Sequence, residues 1–259
     1  MKKALNKIIL IYLLSYAAAI PAAGNLTLTT GVDYSSGKYG QSESTDITYI
    51  PIIAKYEINN DVFKLTVPWL QIRGPGNVIG GDSTTIVLGK SNRPITVQSG
   101  LGDVVVSGTH RMGEIGDIHP FVFDLTGKIK FATASASKGL GTGENDYSLQ
   151  VDSYKPITTS TTLFGDIGYK YMGDPDGISL NNVWFGSAGL SYKIDPASTV
   201  GIIADYRQAT QNTTQSLREL TVFISHKFKD QYKLQSYITH GYTDSSTDWG
   251  GGVMFGWMF

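Results

Sequence analysis

The last ten residues, 250–259, alternate without a break. Val253, Phe255, Trp257 and Phe259 fall on one face, and Gly252, Met254, Gly256 and Met258 on the other. Successive side chains of a strand point to opposite faces, so one face is large and aromatic and the other small or flexible. A soluble sandwich would bury that aromatic face in an edge strand. A membrane barrel would turn it to lipid and pair the last strand with the first, leaving no edge. The choice rests on whether the rest of the chain repeats the pattern.

It repeats eleven times, over about 26–34, 46–58, 62–71, 101–112, 119–133, 146–155, 161–172, 183–194, 199–208, 218–229 and 232–242. The clearest case is 119–133, where Phe121, Phe123, Leu125, Ile129 and Phe131 oppose Asp124, Thr126, Lys128 and Lys130. Twelve strands put both chain ends on one side. Connections after even strands are short, and those after odd strands are mostly longer and rich in Gly, Ser, Thr and Asn. Short turns on one side and long loops on the other belong to an outer-membrane barrel, and a sandwich has no reason to show them. Aromatics gather near strand ends: Tyr34, Trp69, Tyr147, Tyr171, Trp184 and Trp249 toward the loops, Tyr56, Tyr192, Tyr232 and Phe259 toward the turns. They read as two interfacial girdles. The expected fold is all-β, a transmembrane antiparallel up-and-down β-barrel of about 12 strands. Pro51 and Pro68 cannot donate to a ladder and predict a bulge or an irregular wall.

Lys2, Lys3 and Lys7 precede an apolar run from Ile8 to Leu14 and small residues up to Gly24. This is the form of a secretory signal peptide, residues 1–24, leaving the barrel at 25–259 in a bacterial outer membrane. Removing it takes three of the 21 basic residues and none of the 22 acids, so the formal charge moves from −1 to −4. Nothing in that balance suggests nucleic acid. There is no cysteine, hence no disulfide framework or lipid-attachment cysteine. After the leader no run approaches the roughly 20 apolar residues of a spanning helix. The mean hydropathy of −0.08 is what alternating strands average to.

Several stretches resemble the outer-membrane family named for a MetA pathway of phenol degradation. They are Tyr49–Tyr56 (YIPIIAKY), Leu65–Trp69 (LTVPW), Ser99–Val106 (SGLGDVVV), Thr126–Thr133 (TGKIKFAT), Lys138–Tyr147 (KGLGTGENDY) and Arg218–Thr221 (RELT). The family's Pro after Lys-Phe is Ala132 here, at a loop base. The resemblance implies an outer-membrane barrel that passes small compounds, aromatic ones among them, and it brings no catalytic residue.

The chemistry lies on the predicted inner face. Its bases are Lys55, Lys64, Arg111, Lys128, Lys130, Lys170, Lys193, Arg207, Lys227 and Lys233. Its acids are Asp33, Glu57, Asp103, Asp124, Asp152, Asp166, Asp205 and Glu219. So near a balance fits a mixed-charge pore that passes polar or amphipathic small solutes without strong ion preference. It also fits charges that pair across strands and fill a closed barrel acting through its external loops. The long connection 72–100 holds apolar pieces at 85–88 and 95–97. Joined through 89–94 they predict a hairpin extending the wall; folded inward instead, they would constrict the lumen and bring Arg73, Lys90 and Arg93 to Asp33, Asp103 and Asp152, and at least part of the loop is expected to restrict access. An embedded hydrolase would need a nucleophile beside a His at the loop rim, and only His240 with Asp244 and Ser245 offers one. No cofactor or metal is expected. Expected partners are outer-membrane lipid, the barrel-assembly machinery through the last strand, and a small-molecule solute.

Overall fold

The computed structural model describes residues 24–76, 78–79, 86–87 and 94–259. The expected leader lies outside them except for Gly24. The alternating segments form β1 (Asn25–Gly37), β2 (Thr45–Ile58), β3 (Asp61–Gly74), β7 (Val104–Ile115), β8 (Phe121–Phe131), β9 (Asp146–Pro156), β10 (Thr161–Tyr171), β11 (Val183–Lys193), β12 (Ser198–Arg207), β13 (Leu217–Phe228), β14 (Tyr232–Gly241) and β15 (Trp249–Met258). Between β3 and β7 lie β4 (Val78–Ile79), β5 (Ile86–Val87) and β6 (Thr96–Leu101). Both β6 and β7 pair with β3, so they are two halves of one wall strand. The 13-stranded sheet is therefore a closed antiparallel barrel of 12 wall strands.

Closure is made by β1 and β15, in register from Thr27↔Met258 to Ser36↔Trp249. Phe259 N–H extends the seam by donating to the Leu26 carbonyl at 2.8 Å. The faces divide as the alternation predicts. Ile52, Phe63, Leu149, Ile167, Val222, Ile238 and Val253 stand exposed around the outside, with Tyr34, Tyr171, Trp184 and Trp249 toward the loops.

The two prolines are partners, Pro51↔Pro68, inside an unbroken β2–β3 register that runs from Asp46↔Arg73 to Ile58↔Asp61. The irregularity falls on their far sides. The β1–β2 ladder lapses opposite Pro51, between Thr30↔Ile52 and Asp33↔Tyr49. Beyond Pro68 the wall strand breaks at Gly102-Asp103, and the register slips by one between Trp69↔Leu101 and Thr66↔Val105. A residue without an N–H interrupts the ladder its nitrogen faces and leaves the other intact.

One expectation needs correcting. Residues 96–101 are wall rather than loop, so the long connection is 75–95. The hairpin pairs Val78↔Val87 and Ile79↔Ile86, not the pieces at 85–88 and 95–97. Glycines at 100 and 102 disguise the wall strand, and the break at 102–103 removes its continuity with β7.

Candidate functional site

Inward residues are odd-numbered in β2, β11, β12, β13 and β14 and even-numbered in β3, β8, β9, β10 and β15, as the pairings require. They enclose a cavity of about 670 Å³. Of the charged residues predicted to line it, Asp33, Lys64, Lys128, Asp166, Lys170, Asp205, Arg207 and Glu219 do so. Lys55, Glu57, Arg111, Asp124, Asp152, Lys193, Lys227 and Lys233 have the inward parity outside that cavity. Among these, Lys55 pairs with Glu57 at 2.8 Å and Arg111 Nε with Asp124 at 3.4 Å.

Three expected pathway residues are elsewhere. Asp103 and Lys130 belong to a buried ion cluster at the loop end, where Lys130 Nζ lies 3.0 Å from Asp103 and 3.3 Å from Asp146. Asp103 also accepts the N–H groups of Thr133 and Ala134 at 3.1 and 2.9 Å, and Asp146 accepts that of Gly173 at 3.1 Å. The cluster pins the 132–145 connection. Arg73, expected to constrict the lumen, has the outward parity of β3 and pairs with Asp46 at 3.1 Å. Lys90 and Arg93 lie outside the described residues.

Cross-strand register sorts the remaining charges into rows. Along the hydrogen-bonding direction the direct neighbours are Arg111↔Asp124, Asp124↔Asp152, Asp152↔Asp166, Asp166↔Ser187, Ser187↔Asp205 and Asp205↔Glu219. This acidic row climbs from the turn end at β7 to the loop end at β13. A basic row four residues away along β8 and β10 runs Lys55↔Lys64, Lys64↔Ser107, Ser107↔Lys128, Lys128↔Ser148 and Ser148↔Lys170. At a strand's rise the two rows are about 13 Å apart. Between them lies an uncharged stretch, Thr109, Thr126 and Gln150.

Like charges directly opposite each other destabilise a sheet. Local donors offset part of that. Thr126 and Gln150 each donate to Asp152 at 2.7 Å, Ser187 donates to Asp166, and the Thr247 N–H donates to Glu219 at 2.9 Å. Lys64, Lys128 and Asp205 have no hydrogen-bond or ion-pair partner among the described residues. The expectation that the charges pair across strands fails for these three, because their direct neighbours carry the same sign or none.

Inward aromatic rings lie flat instead of crossing the lumen. A Cβ added at Gly189, Gly168 or Gly201 would meet the ring of Phe164, Phe185 or Phe223 at 2.4–2.5 Å. Each ring rests on a neighbouring strand's bare backbone, and the space above stays open. These phenylalanines were not singled out from the sequence. Their parity, opposite to the lipid-facing residues beside them, was the available signal.

The loop end is stoppered. Val78 and Val87 pack with Tyr39, Ile47, Leu70, Ile72 and Leu140, while Ile79 and Ile86 pack with Met172, Leu180 and Val183. The first group belongs to β2, β3, the β1–β2 loop and, through Leu140, the β8–β9 connection, and the second to the β10–β11 side, across the barrel. The β4–β5 hairpin therefore bridges the mouth, and Leu70 and Val183 under it are 0% exposed. At the turn end the inward-parity Lys193, Lys227 and Lys233 are exposed. Among the described residues the lumen is capped at the loop end.

The hydrolase cluster is not assembled. His240 Nδ1 is held by the Asp248 carbonyl at 2.7 Å with its ring against Trp249, and Asp244 accepts from Gln215 at 3.1 Å.

No family model matches the chain, and no curated protein matches it by sequence. Solved structures do match in shape. The COG4313 outer membrane channel of Pseudomonas putida F1 aligns over 93% of this chain and 97% of its own, with a TM-score of 0.66 and 11% identity. A NanC porin aligns over 89% and 98%, with a TM-score of 0.57 and 11% identity. The translocator domain of the autotransporter NalP from Neisseria meningitidis aligns over 100% and 98%, with a TM-score of 0.52 and 11% identity. At such identities the likeness is one of fold.

Proposed function

We propose that the protein is a bacterial outer-membrane channel that admits small solutes, aromatic and amphipathic ones included, past a displaceable stopper. The observation that carries this reading is the cavity of about 670 Å³, lined in part by Lys64, Lys128 and Asp205, which have no hydrogen-bond or ion-pair partner among the described residues. That volume is in the range of ligand-binding cavities. A barrel interior serving stability alone would be filled and its charges paired. The apolar outer face suits lipid, the last strand is the natural handle for the assembly machinery, and the channels and porins of like shape lend support. The resemblance to the phenol-degradation family favours aromatic solutes.

The stopper sets the terms of opening. Burying an aliphatic side chain contributes roughly 1.5–3 kcal/mol, and the hairpin buries Val78, Ile79, Ile86 and Val87. Openings of the native protein are therefore rare. Planar-bilayer recording of the refolded chain should give infrequent, discrete steps, and deletion of residues 77–93 should make them frequent or continuous. The double clamp on the hairpin also favours a second reading, a closed barrel acting through its loops. A deletion variant that folds, by circular dichroism and heat-modifiable migration, yet never conducts would replace the first reading with the second.

A further inference from the structure

Resting on that channel reading, we propose that the cavity recognises small dipolar solutes of the amino-acid type, with an ammonium group at one end and a carboxylate at the other. The charges it presents without a protein partner are segregated. Lys64 on β3 and Asp205 on β12 stand six wall strands apart in a circuit of 12, diametrically opposite, and both line the same cavity. Lys128 joins Lys64 on the basic side, and Asp166 joins Asp205 on the acidic side. None of Lys64, Lys128 and Asp205 has a protein partner among the described residues.

Lys64 and Lys128 on one side and Asp205 on the other are thus left to be answered from within the lumen. A simple anion gains at the lysines and loses at the carboxylates, a simple cation does the reverse, and a neutral polyol gains at neither. A molecule with both charges gains at both walls. The Phe185 and Phe223 rings, flat over Gly168 and Gly201, leave an apolar floor for its carbon chain.

The test is swelling of proteoliposomes carrying the full-length protein, in isosmotic 4-aminobutyrate, butyrate, butylammonium or erythritol. Stopper opening is common to all four solutes, so rate ratios report the cavity alone. The expected result is 4-aminobutyrate entering on the order of threefold faster than erythritol. The ratio should fall to about one in Lys64→Gln/Lys128→Gln and in Asp166→Asn/Asp205→Asn, with erythritol entry retained as proof of an open, folded barrel. Exchanging the signs in Lys64→Asp/Lys128→Asp/Asp166→Lys/Asp205→Lys should restore the preference. Equal rates for 4-aminobutyrate and erythritol, a preference for either singly charged solute over the dipolar one, or a preference unchanged in both neutralised variants would overturn the proposal while leaving the channel standing. No entry of any solute would overturn the channel reading, and this proposal with it.

Discussion

Lys130 holds the loop end of the barrel together by charge. Its ammonium lies between Asp103 and Asp146, where the three side chains are 10%, 8% and 5% exposed. Replacing it with Met would leave two buried carboxylates without their cation, and removing one partner of such a cluster costs about 3–5 kcal/mol. Lys130→Met should therefore unfold at lower denaturant and expose the 132–145 connection to protease, whereas an unshifted unfolding curve would refute the assignment. The sequence put Lys130 on the inner face correctly but not in this cluster. Parity gives a face, while its partners come from a wall break and another strand's first residue. A second residue-scale consequence concerns Gly201, whose missing Cβ makes room for the Phe223 ring. Gly201→Val should lift that ring into the lumen at an overpacking cost of about 1–3 kcal/mol. The expected readout is smaller single-channel conductance from a barrel that still folds.

At the scale of the strand, the outer surface follows from period-2 alternation alone. Leu163, Leu190, Ile202, Val222 and Ile238 are cross-strand neighbours on β10 to β14 and form one apolar band. A cation at mid-membrane on the lipid face costs about 2–4 kcal/mol. Ile202→Arg should lower the unfolding free energy of the lipid-embedded protein by that amount, and Thr221→Arg on the inner face should alter ion selectivity instead. Equal stability losses at the two positions would contradict the division of faces. The strands and their inner and outer sets were legible because each alternates strongly over ten or so residues. The β4–β5 hairpin was harder to place. Its paired segments are two residues each, too short to show a period, and the contacts that bury them come from β2, β3, β11 and three connections far apart in sequence, β1–β2, β8–β9 and β10–β11.

For the molecule as a whole, the inner-face inventory was largely readable and its arrangement was not. Counting bases and acids gives near neutrality, and only the register places Asp124, Asp152 and Asp166 side by side with the lysines elsewhere. Register depends on where each strand begins relative to its neighbour, which alternation does not specify. The same registers bear on the barrel's mechanics. With the Pro51↔Pro68 pair at its centre, β2–β3 is bonded continuously within itself and discontinuously to both neighbours. It is a stiff panel set in compliant seams, so amide exchange should be faster at Gly31 and Val32, where the β1–β2 ladder lapses, than at mid-strand positions such as Val222. The connection that carries the stopper leaves directly from the end of β3. Thinning the bilayer or adding lateral tension would flex those seams first, so the panel's tilt would set how firmly the hairpin sits, making the closure of the barrel's mouth sensitive to the membrane around it.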